Sequence, residues 1–193
     1  GAQSGNVEIG MDAVSSDNAQ QKPHDRLTAY LAEDLDAVNV LIRERMASKY
    51  APRIPQVTTH LVEAGGKRLR PLLTLAAAQM MGYAGVEHRK LAATVEFIHT
   101  ATLLHDDVVD ESGQRRGRPT ANLLWDNKSS VLVGDYLFAR AFLLMVETGN
   151  HRVLEILSNA SAVIAEGEVL QLTAARHLGT TEEIYEQIVR GKT

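Results

Sequence analysis

Residues 104–110 read Leu-His-Asp-Asp-Val-Val-Asp and place three carboxylates directly after an apolar run that begins at Val95. On a helix, Asp106 and Asp110 lie about 40° apart on one face. Two carboxylates held this close repel each other, and they are tolerated when water or a bound cation separates them. The stretch therefore predicts an acidic patch at the end of an apolar helix, and the other motifs lie on either side of it.

The composition favours a helical protein with one domain. The chain has 193 residues, is 45% hydrophobic and 5% aromatic, and contains no cysteine, which excludes disulfides and Cys-ligated zinc. A net charge of −4 does not indicate nucleic acid or an anionic membrane surface as a partner. No apolar run approaches the roughly 18 residues of a membrane span, and no signal peptide is visible. We therefore expect a cytoplasmic protein without a membrane span.

Apolar periodicity and helix breakers predict an all-α domain over residues 23–193, preceded by a flexible polar tail over residues 1–22. The predicted helices cover about 25–50, 56–63, 72–81, 87–111, 128–147 and 153–172, and a last helix follows a capping site at 179–183. The segment 128–147 is hydrophobic nearly all round, which predicts burial in the middle of a bundle.

A basic segment, Gly-Gly-Lys-Arg-Leu-Arg-Pro at 65–71, precedes the acidic patch. Cations beside the free N–H groups of a helix start form a good site for phosphate, although a solvated basic turn explains the same residues. His99 lies about 20° from Asp106 around the helix and about 10 Å from it along the axis. A lone histidine on such a helix is more often a core residue, but the shared face favours a functional role.

A second basic segment follows the aspartates. Arg115, Arg116 and Arg118 lie in a glycine-containing loop, where they either neutralise the aspartates or contact the same negatively charged ligand. Two separate basic groups around one acidic group predict that two phosphorylated groups are bound at once, with a metal ion bridging the acids to one of them.

Taken together, GGKRLRP at 65–71, HDDVVD at 105–110 and RRGRPT at 115–120 resemble the trans-isoprenyl diphosphate synthases of the polyprenyl synthetase family. GDYLFARAF at 134–142 and GEVLQL at 167–172 fit the same pattern, so the resemblance runs from about residue 25 to the end. It implies an all-α helical bundle of the isoprenoid synthase type with a large central cavity. It also implies magnesium-dependent, head-to-tail condensation of isopentenyl diphosphate with an allylic diphosphate.

The resemblance also implies roles for individual residues. Asp106 and Asp110 would hold Mg²⁺, with support from Asp107. The allylic diphosphate would be held by Arg115, Lys192 and Thr193, and the isopentenyl diphosphate by Lys67, Arg70, His99 and Arg116. No catalytic residue separate from the substrate and metal sites is implied.

Product length is predicted from the residues four and five positions before the first aspartate, which form the cavity floor in this family. Here they are Thr102 and Ala101, and both are small. Small residues would leave the tunnel open, so we expect a long-chain product of the kind used for quinone side chains. Ordinary helix packing is the other explanation of an alanine at this place.

One departure from the family pattern qualifies the assignment. The family carries a second aspartate-rich motif, and these 193 residues contain none. The sequence therefore looks truncated before that motif, and we expect its exposed apolar helix faces to favour association, as a homodimer. A non-catalytic partner subunit and a terpene cyclase-like enzyme are the alternatives. A cyclase needs no second diphosphate site, so the two basic segments count against it.

Overall fold

The computed structural model describes residues 22–64, 67–111, 113–115, 117–120, 125–176 and 181–192. The tail predicted over residues 1–22 lies outside this part of the chain except for Lys22. The described helices are α1 (Pro23–Tyr30), α2 (Ala32–Met46), α3 (Arg53–Ala64), α4 (Leu69–Met80), α5 (Glu87–Val109), α6 (Asn127–Glu147), α7 (His151–Arg176) and α8 (Glu182–Lys192). The predicted all-α fold class is confirmed.

Helix α5 forms the centre of the fold. It packs along α6 and also contacts α2, α3 and α4. Its buried face combines Phe97 and Leu104 with the alanines Ala92, Ala93 and Ala101. Because the distance between two helices depends on the side chains at their contact, these alanines allow close packing against α5.

The first two predicted helix boundaries differ from those of the structure. The helix expected over 25–50 is divided at Leu31, whose ψ of 16° departs from helical geometry, although its N–H still donates to the Leu27 carbonyl over 3.0 Å. Helix α3 begins at Arg53 and contains Pro55 in its first turn. The helix tolerates a proline there because the first N–H groups have no partner within the helix.

Helix α6 differs from the prediction of all-round burial. One face packs on the core through residues that include Val133, Leu137 and Leu144. The other face is exposed, with Leu132 66% and Val146 63% accessible to solvent. Within the described chain, α6 is therefore a core helix on one side and an apolar surface on the other.

Helix α6 is also the one helix among the described residues that is long and apolar enough to cross a membrane. This corrects the expectation that no apolar run approaches that length. The signal is weak evidence for a span, because the core helix of a soluble protein passes the same test. The extensive packing of α6 along α5 fits that second explanation.

A short hairpin interrupts the helices between α5 and α6, where the sequence predicted only a loop. Strand β1 (Gln114–Arg115) pairs antiparallel with strand β2 (Arg118–Pro119). The Thr120 N–H donates to the Gly113 carbonyl over 3.1 Å and extends the pairing. Gly117 has a φ of 73°, which a glycine adopts without steric cost.

Candidate active site

The acidic patch lies at the C-terminal end of α5. The helix ends at Val109 rather than at the predicted Glu111, and Asp110 caps it by donating its N–H to the Asp106 carbonyl over 2.7 Å. Asp106 is half-buried and Asp110 is exposed, whereas Asp107 faces the core with 1% of its surface exposed. The last carbonyls of a helix carry partial negative charge, so this end attracts cations more strongly than its carboxylates alone would.

The predicted magnesium ligands offer carboxylate oxygens, which are the donors that a hard divalent cation prefers. No group of three or more His, Cys, Asp or Glu side chains that could hold a metal is found among the described residues. Magnesium commonly binds through one or two carboxylates plus substrate phosphates and water. Asp106 and Asp110 therefore suit an ion that a diphosphate completes, rather than one held by protein alone.

Lys192 reaches the acidic patch from α8. Its Nζ lies 2.8 Å from the Glu168 carboxylate and also donates to Gln171. The hydrogen bond to Glu168 raises the pKa of Lys192, and the nearby charges of Asp106 and Asp110 raise it further. Three acids therefore keep this ammonium charged at the edge of the patch.

A glycine crossing holds α8 against α7. A Cβ added at Gly191 would lie 2.9 Å from the Gly167 Cα and 3.1 Å from the Val163 carbonyl oxygen. Since the opposing atoms belong to the backbone, no side chain can move aside to make room. The crossing places Lys192, the next residue, beside Glu168, the residue after Gly167. Gly167, the first residue of the GEVLQL segment, and Gly191 thus position Lys192.

An apolar cavity of about 280 Å³ opens beside the acidic patch. It lies between α5, α6 and α7, and its lining residues are Thr102, His105, Asp106, Val109, Phe138, Ile164, Ala165, Glu168, Val169 and Leu172. Acidic side chains occur on this lining beside many apolar ones. The cavity can therefore take a ligand with a hydrocarbon body and a charged end that a cation neutralises.

The two predicted floor residues face different surroundings. Thr102 lines the cavity, and its hydroxyl donates to the Ile98 carbonyl over 2.9 Å. Ala101 is completely buried in the hydrophobic core and is absent from the lining of this cavity. Of the two, Thr102 therefore borders this cavity and Ala101 packs in the core.

The first basic segment lies two turns of α5 away from the acidic patch. Lys67 and Arg70 are exposed, and Arg70 Nη1 donates to His99 Nε2 over 3.2 Å. The Lys67 carbonyl oxygen lies 2.9 Å from His24 Nε2, which ties the segment to α1. Three of the residues predicted to bind isopentenyl diphosphate therefore belong to one region of the surface.

The second basic segment forms the β1–β2 hairpin, which follows Asp110 closely in the chain. His60 on α3 lies with Nε2 2.8 Å from the Pro119 carbonyl oxygen, and its ring packs edge-on against Trp125 at 5.4 Å between centroids. These contacts fix the hairpin to α3. The side chain of Arg115, and the whole of Arg116 and Thr193, lie outside the described residues.

His105 is a site residue that the motif analysis left without a role. It lines the cavity next to Asp106, with Nε2 3.0 Å from the Val131 carbonyl oxygen and 3.4 Å from Asp135 Oδ1. A Cβ at Gly134 would lie 2.3 Å from that nitrogen, so α6 admits the ring only because residue 134 is glycine. The Gly134–Asp135 pair inside an otherwise apolar helix was the available sequence signal.

A family model described as "Polyprenyl synthetase" matches residues 51–193. The chain belongs to this family. Among its curated relatives is the all-trans-nonaprenyl-diphosphate synthase (geranyl-diphosphate specific) of Rhodobacter capsulatus, which is 53% identical over 86% of this chain and 51% of its own length. The octaprenyl diphosphate synthase of Escherichia coli (strain K12) is 47% identical over 88% of this chain and 52% of its own length.

Solved structures of polyprenyl synthetases share the fold. A decaprenyl diphosphate synthase from Rhodobacter capsulatus is 78% identical, with a TM-score of 0.84 over 89% of this chain and 53% of the solved one. A polyprenyl synthase from Caulobacter crescentus CB15, solved with calcium and isoprenyl diphosphate, is 55% identical. Its TM-score is 0.83 over 90% of this chain and 53% of the solved one. The chain spans about half the length of the curated relatives it matches.

Proposed function

We propose that this chain carries the substrate and metal sites of a long-chain polyprenyl diphosphate synthase. The reaction is head-to-tail condensation of isopentenyl diphosphate with an allylic diphosphate. The observation that supports it most is the acidic patch with Lys192 at the edge of an apolar cavity, two helical turns from a separate cluster of cations. One diphosphate at the C-terminal end of α5 and another beside its middle account for both charge clusters.

In this proposal the acidic end takes the allylic diphosphate. Asp106 and Asp110 hold Mg²⁺, which, when bound, neutralises the negative charge that the diphosphate gains as the allylic C–O bond breaks. Arg115, Lys192 and Thr193 contact the same diphosphate. Lys192 is held in place for this by Glu168 and Gln171.

The basic site beside the middle of α5 takes isopentenyl diphosphate, whose diphosphate is retained in the product. Lys67, Arg70, His99 and Arg116 bind it, and an arginine fork suits its phosphate oxygens. The apolar lining of the cavity beside the acidic patch, with Phe138, Ile164 and Leu172, keeps water from the allylic carbocation. Thr102 on this lining leaves room for a growing chain.

The direct test is incubation of the chain with Mg²⁺, farnesyl diphosphate and labelled isopentenyl diphosphate, followed by sizing of the extracted products. Long polyprenyl products support the proposal. Binding of both substrates without turnover would instead favour the partner-subunit alternative, and binding of the allylic substrate alone would favour a cyclase-like enzyme. Failure to bind either substrate would contradict the proposal.

The proposal includes a homodimer in the cytoplasm. The apolar surface of α6, with Leu132, Phe142, Leu143 and Val146 exposed, supports self-association because large exposed apolar patches mark interaction sites. Sedimentation equilibrium measures the oligomer, and cell fractionation measures the location. A monomer at assay concentration, or recovery of the protein with membranes, would contradict this part of the proposal.

A further inference from the structure

Arg68 lies between the two exposed cations of the first basic segment, and its own side chain points into the protein. Its Nη1 donates to Glu96 Oε1 over 2.9 Å, and the side chains of Arg68 and Glu96 are only 16% and 10% exposed. Removing one member of a mostly buried ion pair leaves the other charge without compensation, which destabilises the arrangement strongly. The pair therefore joins the start of α4 firmly to the middle of α5.

The backbone of Arg68 is in a conformation that a residue with a Cβ adopts only under constraint. Its φ is 53° and its ψ is 36°, in the left-handed region, and it occupies the N-cap of α4 without a side-chain cap. This conformation is sterically unfavourable for residues other than glycine. The ion pair with Glu96 supplies the constraint that holds Arg68 in it.

The face of α5 that carries Glu96 also contacts Arg70, the next cation of the first basic segment. Glu96 and His99 are three residues apart and so lie about one turn apart on one face. Glu96 binds Arg68, and His99 accepts from Arg70 over 3.2 Å. Two arginines, two residues apart on the segment, therefore dock on two neighbouring side chains of one helix, while Lys67 and Arg70 remain exposed.

We propose that Glu96 is a positioning residue for the isopentenyl diphosphate site: through Arg68 it fixes the left-handed turn that presents Lys67 and Arg70 to the diphosphate. This inference rests on the proposed function of the same site. Glu96 itself does not touch the substrate, because its carboxylate is buried against Arg68. A charge that would repel a diphosphate is thereby neutralised inside the protein.

Glu96→Gln and Arg68→Gly test the inference in the full chain. The first keeps the side-chain volume and removes the charge, and the second removes the ion pair while suiting the left-handed backbone. Titration calorimetry with isopentenyl diphosphate should give a dissociation constant raised about tenfold or more. Losses of this size are typical when residues that orient metal ligands are removed from metal sites. Binding of a non-reactive allylic diphosphate analogue with Mg²⁺ should remain unchanged.

Asp34→Asn provides a matched control. Asp34 Oδ1 accepts from Arg89 Nε over 2.7 Å and joins α2 to α5 by another partly buried ion pair, away from the basic segment. We expect this variant to lower stability without changing either dissociation constant. The Leu72 amide donates to the Arg68 carbonyl over 3.0 Å, so its hydrogen exchange should accelerate in Glu96→Gln and not in Asp34→Asn.

The outcomes separate the inference from the proposed function. Unchanged isopentenyl diphosphate binding in a folded Glu96→Gln protein would overturn the inference alone. Equal weakening of both ligands would also overturn it, because that is the effect of a general loss of structure. Failure of the unaltered chain to bind isopentenyl diphosphate would overturn the proposed function and the inference together.

Discussion

The two charged sites along α5 are built in different ways, the acidic site at the C-terminal end of the helix and the basic site beside its middle. At the basic site, the first basic segment docks on Glu96 and His99, 28 and 29 positions further along the chain, in the part of the molecule where α2 and α4 pack on α5. At the acidic end, the carboxylates meet Lys192, which comes from α8 and is positioned by a crossing of two glycines. The difference teaches that core packing preforms the basic site, whereas the acidic site depends on a distant helix and on a cation.

The largest effect should come from the acidic carboxylates. Replacing Asp106 and Asp110 by Asn removes the ligands proposed for Mg²⁺, so the turnover number should fall about 100-fold or more. Isopentenyl diphosphate binding should persist, because the basic site is held by Glu96 and His99 and not by these aspartates. Glu111→Gln, a change at an exposed neighbouring acid, is the control and should behave like the unaltered chain in the same product assay.

The glycine crossing should be the weak point of the acidic end. Gly191→Ala places a methyl group against the backbone of Gly167, which should destabilise the packing of α8 by about 1–3 kcal/mol and displace Lys192. We expect a raised KM for the allylic substrate and little change in the KM for isopentenyl diphosphate. Gly113→Ala, where an added Cβ meets nothing within 4 Å, should leave both KM values unchanged. An equal rise in both KM values for Gly191→Ala would mean that the allylic and isopentenyl diphosphate sites do not depend on separate parts of the structure.

Product length should be set at Thr102, which lines the cavity beside the acidic patch, rather than at Ala101 in the core. Thr102→Phe adds a ring to the cavity lining and should shorten the product, as measured by chromatography of the extracted polyprenols. Ala101→Phe instead overfills the core and should lower the free energy of unfolding by about 1–3 kcal/mol or more. Products of unchanged length from Thr102→Phe would show that this cavity does not hold the growing prenyl chain.

The smallest effect should come from an ion pair that belongs to neither the acidic nor the basic site. Arg45 donates two hydrogen bonds to Glu147 over 2.5 and 2.7 Å, and this interaction holds the pKa of Glu147 below its ordinary value. A lowered pKa in the folded state means that the stabilisation is present above the unfolded-state pKa. It is lost as pH falls through the folded-state value.

Arg45→Met should therefore reduce stability at neutral pH by less than about 1 kcal/mol, because both side chains are partly exposed. The difference from the unaltered chain should vanish in acid, as urea unfolding at each pH would measure. A difference that persists in acid would mean that Arg45 stabilises the fold through packing rather than charge.

The helical periodicity of the sequence was enough to predict those site features that depend on a single helix. The shared face of Asp106 and Asp110 follows from 3.6 residues per turn, and so does the alignment of His99 with them. The sequence grouped Ala101 with Thr102, and only the packing shows that Thr102 borders the cavity while Ala101 lies in the core. Which side of α6 is covered could not be read from its residues, because an apolar face looks the same whether or not a neighbour packs on it.

The remaining site features depend on contacts between distant segments. Gly134 admits His105, and Gly167 admits Gly191, but a glycine in a helical pattern reveals no partner by itself. Arg68 likewise looks like one more surface cation until its contact with Glu96, 28 positions further along the chain, is known. Such contacts follow from packing, which local patterns do not encode.

The central claim is that one helix carries two separate diphosphate sites. The most direct measurement is titration calorimetry of isopentenyl diphosphate, and of a non-reactive allylic diphosphate analogue with Mg²⁺, into two double variants. Asp106→Asn with Asp110→Asn should lose the allylic analogue and keep isopentenyl diphosphate, whereas Lys67→Ala with Arg70→Ala should do the reverse. Equal loss of both ligands in both variants would contradict this proposal, because it would mean that the acidic and basic clusters along α5 form a single site.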